Sequence, residues 1–460
     1  MRFVITEYAI QKIYMMTESH SSSSSIHWPS LFQFGLSGFA ILFVWGIALS
    51  LFSVGALQLV QGVPFRRIDP SGFLMAGGFA FVGTLLIPSA WFALMRLMNR
   101  PVNAVRRVTW KNARAIIWLL PPVVLAGYGV AVTPSISWLL LPVFNVLALS
   151  IPVVWYLSIG GRDLRSTSPQ SAWGVFGAGL VLGPGLILFI ELIVGLVAIV
   201  FLGVWLSQEP GFLDEVRRLA NVYRFSSNPD PSLFLPFAER YLMRPSVLGG
   251  GLLYIAGFVP LLEEFFKPIG LLFLNKQTLT PAQGFLAGML SGAAFGLFEN
   301  LLQAVSGSEW VLLAVGRTGT SLIHIFNSGL VGWGFALAWR ERRPMALIGR
   351  YLIAVVIHAI WNAMTVMVGV SSLPEQDFVG EPWMLAGTIT LLLLAGICFF
   401  ALIAVNRRLQ RETQPAQGAS TPEQREHSLP EPGEASFDER FPPEAVVSSQ
   451  TGEYSPFDSE

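Results

Sequence analysis

The sequence predicts an all-α polytopic membrane protein with about ten transmembrane helices, and three observations predict it. Hydrophobic residues make up 53% of the 460 and charged residues 13%, where soluble globular domains carry about 25% charged. Runs such as Leu31–Val60, Gly174–Leu206 and Pro382–Val405 exceed the roughly 18 apolar residues that mark a spanning helix. Basic residues gather in short loops between such runs, the signature of a fixed membrane orientation. These features exclude a soluble enzyme, a nucleic-acid binder and a secreted disulfide scaffold. The single cysteine, Cys398, lies inside an apolar run, so neither an intramolecular disulfide nor a cysteine-based metal site can form.

Taken in order, residues 1–30 form a flexible cytoplasmic lead with a serine run at Ser21–Ser25. Ten spans are expected near 33–58, 71–95, 115–133, 137–158, 175–206, 247–274, 282–304, 317–339, 347–370 and 384–405. The first five make an accessory region over 31–207, and the last five make a core over 247–405. Arg96, Arg100, Arg106, Arg107, Lys111 and Arg114 follow the second span, and Arg162 and Arg165 the fourth. Lys276 follows the sixth, Arg340, Arg342 and Arg343 the eighth, and Arg407, Arg408 and Arg411 the tenth. Ten spans put all these loops on one side, which the positive-inside rule makes cytoplasmic, with both termini. Arg66 and Arg67 fall on the other side, against the trend.

The segment 208–246 is then extracytoplasmic. Phe212, Leu213, Val216, Leu219 and Val222 recur at helical spacing among Asp214, Glu215, Arg217 and Arg218, which predicts an amphipathic helix, either lying on the membrane or serving as a lid over the next span. From Glu412 onward there are eleven acidic residues, two arginines and seven prolines, so 406–460 reads as a disordered acidic cytoplasmic tail.

Ionisable groups at bilayer depth are costly and are functional hypotheses by default. The first five spans hold one clear case, Glu191, with no visible partner. The last five hold Glu263, Glu264, Lys267, Glu299, His324 and His358. Counted from the cytoplasmic ends at about 1.5 Å per residue, Glu263 and His358 lie about 16 Å deep, His324 about 22 Å and Glu299 about 26 Å. A hydrocarbon layer of roughly 30 Å lets all four share its middle. Glu263 and Lys267 are i,i+4 and can pair. Glu264 lies about 100° round the helix, so both carboxylates face one cavity only if the helix is distorted. Pro268 has no N–H for the Glu264 carbonyl. Asn362 is i,i+4 from His358 and is placed to orient its ring. Gly284, Gly288, Gly292 and Gly296 form a small-residue stripe for close helix approach. Arg317 falls at the outer interface.

In order, the motifs are Glu263-Glu264-x-x-Lys267, Phe295-x-x-x-Glu299-Asn300, His324 and His358-x-x-x-Asn362. Over 247–370 this set resembles the PrsW family of intramembrane proteases, which is related to the CAAX prenyl proteases and the bacteriocin-processing proteins. Glu299 stands where the CAAX group has histidine, the PrsW-like variant. The resemblance implies a bacterial plasma-membrane enzyme that cleaves a peptide bond in or beside a membrane segment of an anchored protein, with anti-sigma factors as one implied substrate class and no nucleic-acid partner.

Peptide hydrolysis needs an activated water, an electrophile and a proton donor for the amine. A carboxylate kept from water, beside a second carboxylate, is a strengthened proton acceptor, which points to Glu263 or Glu264 as general base. Glu299, His324 and His358 are the candidate metal ligands, two His and a Glu matching a common catalytic Zn2+ set. A metal-free version, with Asn362 and His358 at the oxyanion, stays open. A five-plus-five arrangement also suits a proton- or cation-coupled transporter, although the first half repeats none of the motifs. A third reading is a catalytically inactive binder of membrane helices.

Overall fold

The computed structural model describes residues 27–100, 113–166, 168–225, 234–237, 240–241, 244–274, 276–371 and 381–413. The lead before His27, the basic residues Arg106, Arg107 and Lys111, and the acidic tail from Gln414 lie outside them. The described residues are helical, with no strand among them.

The helices follow the apolar runs. They are α1 Trp28–Val60, α2 Ser71–Leu97, α3 Leu120–Ala131 after a 3-10 entry at Arg114–Leu119, and α4 Pro134–Gly160. The fifth span is α5 Pro169–Gly177 and α6 Gly183–Leu206, joined through a π turn at Ala178–Leu182. The amphipathic α7 covers Phe212–Phe225. The sixth span is α8 Pro245–Leu253, a π turn at Tyr254–Phe258, α9 Val259–Phe266 and a 3-10 helix at Lys267–Phe273. Then come α10 Pro281–Leu301, α11 Glu309–Arg340, α12 Pro344–Ser371 and α13 Glu381–Thr413. Nine helical stretches among the described residues are long and apolar enough to cross a membrane. The seventh expected span, α10, is not among them, because Gly, Ser and Asn dilute it. Its 21 residues still reach roughly 30 Å.

Helix starts carry their expected chemistry. Pro281 sits at N1 of α10, and Thr280 and Gln283 form a capping box. Ser168 caps α5 ahead of Pro169, its side chain accepting from the Ser171 N–H. Beyond α6, Phe212 of α7 buries against Leu206, Phe237 and Tyr241. Arg244 clasps Glu209 at 2.9 Å, and this hydrogen-bonded guanidinium holds the Glu209 carboxyl below its usual range. α7 thus packs on the end of α6.

α10 packs closely against α11. The glycine stripe of α10 lies on the His324–Ser328–Gly332 face of α11. A Cβ on Gly284 would come within 2.5 Å of the Gly332 carbonyl. One on Gly288 would strike the Ser328 carbonyl, and one on Gly292 the His324 carbonyl. In lipid no hydrophobic force drives helices together, so backbone contact of this kind is what holds them. Polar ties add register: Trp310 Nε1 donates to Asn145 Oδ1 at 3.0 Å, joining α11 to α4, and Asn406 Nδ2 donates to the Gly160 carbonyl at 2.7 Å, joining α13 to α4.

Gly288→Ala should therefore lower the thermal midpoint of the purified protein, at a cost of about 1–3 kcal/mol for overpacking. Gly38→Ala should be silent, since nothing lies within 4 Å of the added carbon. Equal midpoints for the two variants would show that the stripe does not set the approach.

Candidate active site

The sixth span is broken on both sides of its carboxylates. The π turn at Tyr254–Phe258 precedes them. After them, Pro268 cannot donate to the Glu264 carbonyl, and the chain tightens into 3-10 geometry from Lys267. Ser291 Oγ donates to the Lys267 carbonyl. Two donors from α12 dock this irregular span: Tyr351 Oη on the Leu261 carbonyl at 2.8 Å, and Asn362 Nδ2 on the Ile255 carbonyl at 3.1 Å. The outcome is Glu263, Glu264 and Lys267 all buried, the last two completely.

Lys267 Nζ is the hub. It lies 2.9 Å from Glu263 Oε2 and 2.8 Å from Glu264 Oε1. It also lies 2.8 Å from His324 Nδ1 and 3.5 Å from His358 Nδ1. The Phe295 ring covers it, with its centroid 4.5 Å away.

Each histidine leans on a carboxylate. His358 Nδ1 is 2.9 Å from Glu264 Oε1, and His324 Nε2 is 2.7 Å from Glu299 Oε2. An ionised carboxylate only accepts, so those ring nitrogens carry the hydrogens. This leaves lone pairs on His324 Nδ1 and His358 Nε2, the arrangement in which carboxylate–histidine pairs present a metal ligand. Glu263, His324 and His358 each offer a donor atom, all within 4.8 Å of one another. The donor set therefore fits a divalent cation, with one condition. Lys267 Nζ already contacts Glu263 and His324 at ion-pair and hydrogen-bond distance, so an ion and the ammonium cannot share the position.

The structure brings Glu263, Glu264, Glu299, His324 and His358 into one network, with three differences from the expected roles. Glu299 lies on the Nε2 side of His324 and also binds Arg317 Nη1 at 2.5 Å. The carboxylate inside the ligand group is Glu263. Asn362 does not orient His358. The π turn has carbonyls in need of donors, and Asn362 serves that of Ile255, while Glu264 orients His358. Arg317, expected at the outer interface, also joins the cluster through Glu299 and Asn300. Sequence reading also missed Ser291, and Ser321, which accepts from Asn300 Nδ2 at 2.9 Å. The glycine stripe was the available signal for both contacts, since it brings α10 against its neighbours. Glu191 stays apart: its Oε1 is buried without a hydrogen-bond partner among the described residues, and its carbonyl accepts from Tyr254 Oη at 3.2 Å.

This arrangement of a paired-glutamate helix, a glycine-docked glutamate and two histidines coincides with a family match. Residues 232–409 match the model of the PrsW family intramembrane metalloprotease. Over those residues the chain is similar to the PrsW family. The PrsW region runs from ahead of α8 into α13 and contains every member of the Lys267 network, while α1–α7 precede it. No curated protein and no solved structure matches the chain.

Lys267→Met should strand two buried carboxylates without a cation, at a cost of about 3–5 kcal/mol. Zinc should then recover part of that loss, as any ion that binds only the folded state does. Melting the purified protein across a zinc titration checks this: the midpoint should rise more in Lys267→Met than in wild type. Equal shifts would mean that the ammonium and the ion do not compete.

Proposed function

We propose that this protein hydrolyses a peptide bond in or next to a membrane-anchored protein substrate, with anti-sigma factors as one candidate class. The observation that supports the reading most directly is that three carboxylates and two histidines from four separate membrane helices form one network, with Glu263, Glu264 and both histidines around Lys267, and Glu299 joining His324 to Arg317. A structural ion pair needs two charges. This site has five ionisable partners around Lys267 and Arg317, and its Glu299 end is partly open, with that side chain 32% exposed.

In the proposed chemistry Glu264 is the general base. Its Oε2 is buried without a hydrogen-bond partner among the described residues, so one oxygen holds His358 and the other is free to accept a proton from the attacking water. The same carboxylic acid returns that proton to the leaving amine. Glu263, His324 Nδ1 and His358 Nε2 are the residues that would hold a metal ion, with Zn2+ as the candidate. Bound there, such an ion would polarise the scissile carbonyl and acidify a ligated water. Glu299 holds His324 and Glu264 holds His358, so neither ring turns its lone pair away. When Lys267 fills the position, its ammonium is the positive charge that faces a developing oxyanion.

We also propose a bacterial plasma-membrane location with both termini cytoplasmic and 208–246 outside, from the side on which the arginine-rich loops fall. Reporter fusions after Gln208 and after Thr413 should give opposite compartments, and the same compartment at both would overturn the orientation.

The roles separate on purified protein given candidate membrane substrates. Glu264→Gln should abolish cleavage and keep the metal, since the base is not a ligand. Glu263→Gln and His358→Ala should lose both. Chelation should stop wild-type cleavage and added zinc restore it. Cleavage by Glu264→Gln at the wild-type rate would remove the assignment of the base, and stoichiometric metal in Glu263→Gln would remove the ligand set.

A further inference from the structure

Arg317, Ser321 and His324 stand at i, i+4 and i+7 of α11 and so share one face. Arg317 Nη1 donates to Glu299 Oε1 at 2.5 Å and to Asn300 Oδ1 at 3.3 Å. Asn300 Nδ2 donates to Ser321 Oγ at 2.9 Å, and Ser321 Oγ donates to the Arg317 carbonyl at 2.8 Å. The second oxygen of Glu299 meets His324 Nε2 at 2.7 Å. Both oxygens of this carboxylate are thus committed, one to the guanidinium and one to the imidazole.

We propose that Arg317 is a positioning residue of this site: through Glu299 it fixes the tautomer and ring orientation of His324. The proposal rests on the hydrolytic reading above and assigns a role that the glutamate–histidine motifs do not contain.

A carboxylate held by a single partner can rotate and offer either oxygen. Arg317 takes Oε1 and, with the same nitrogen, takes Asn300, so the carboxylate plane is set before it meets the ring. Glu299 Oε2 then accepts from Nε2, and the Nδ1 lone pair is left on the Lys267 side, 2.8 Å from the ammonium. Without Arg317, Glu299 has a free oxygen and a partly open environment. The His324 ring can then turn over and exchange its two nitrogens, and the lone pair leaves the position that the ammonium or an ion occupies. Charge neutralisation alone does not account for the geometry, because the arginine also orients the Asn300 amide through to Ser321. Losing a partner that orients a histidine ligand typically costs 10–100-fold in affinity or activity.

The test uses the full chain in detergent or vesicles. Arg317→Met should lower kcat by roughly 10–100-fold with KM little changed, and Arg317→Lys should recover most of it. The double variant Glu299→Gln/Arg317→Met should be no worse than Glu299→Gln alone, as expected for two residues acting through one ring. Nitrogen-15 histidine spectra read the device directly: a single Nε2–H form for His324 in wild type and Arg317→Lys, and a mixture in Arg317→Met. Unchanged kcat in Arg317→Met, a loss confined to KM, or a single tautomer in all three proteins would overturn the proposal. If Arg317→Met does not fold, Arg317→Lys decides: a retained tautomer and kcat support the role, and loss of either opposes it. If wild type cleaves no substrate, the hydrolytic reading fails, while the tautomer comparison still decides the role of Arg317.

Discussion

The site depends on one buried ammonium. Glu263 and Glu264 lie in a membrane-embedded interior where each isolated charge costs several kcal/mol even after relaxation. Adjacent residues on a helix point about 100° apart, so a cation that serves both must come from i+3 of one and i+4 of the other. Lys267 is that position, and its Nζ lies within 2.9 Å of both carboxylates. The rest follows from holding that lysine. Pro268 tightens the chain just after it, Ser291 binds its carbonyl, Phe295 covers its nitrogen, and His324 Nδ1 accepts its third N–H.

The second constraint is distance between backbones. Glu299 is near the end of α10, and its reach to His324 depends on how closely α10 lies on α11. The stripe from Gly284 to Gly296 brings the helices to backbone contact at Ser328 and His324. One added methyl group anywhere in the middle of the stripe would push Glu299 away from the imidazole it orients. Packing and chemistry are therefore the same feature viewed at two points of one helix.

Much of this was legible in the sequence because bilayers leave few options. Apolar runs gave the helices, and the rare polar residues inside them gave the network around Lys267. The roles within the network were harder. Which ring nitrogen faces which carboxylate depends on helix rotation, and no spacing rule carries that, so Glu299 and Glu263 exchange places in the candidate ligand group. Asn362 shares a helical face with His358, but the π turn at Tyr254–Phe258 claims it, and those five residues hold no local signature of a π turn. The part Arg317 plays was not visible at its own position, because the long side chain and the i, i+7 relation to His324 decide where the guanidinium ends.

The apparent division into an accessory half and a motif-bearing half also has a physical answer. A 3-10 segment at membrane depth makes poorer hydrogen bonds than an α-helix and is tolerated where protein covers it. The cover for its buried part, Lys267–Leu271, comes in part from the fifth span, which precedes the matched region. A Cβ on Gly270 would lie 3.0 Å from Val175 of α5, and one on Gly183 of α6 would lie 3.5 Å from the Phe266 carbonyl. The π turn at Ala178–Leu182 brings Gly179 onto Ser291, the residue that holds the Lys267 carbonyl. Phe32 of α1 adds a ring contact to Phe273, 5.4 Å between centroids. Among the described residues, the broken helix that holds the carboxylates is thus packed against side chains and backbone of α1, α5 and α6.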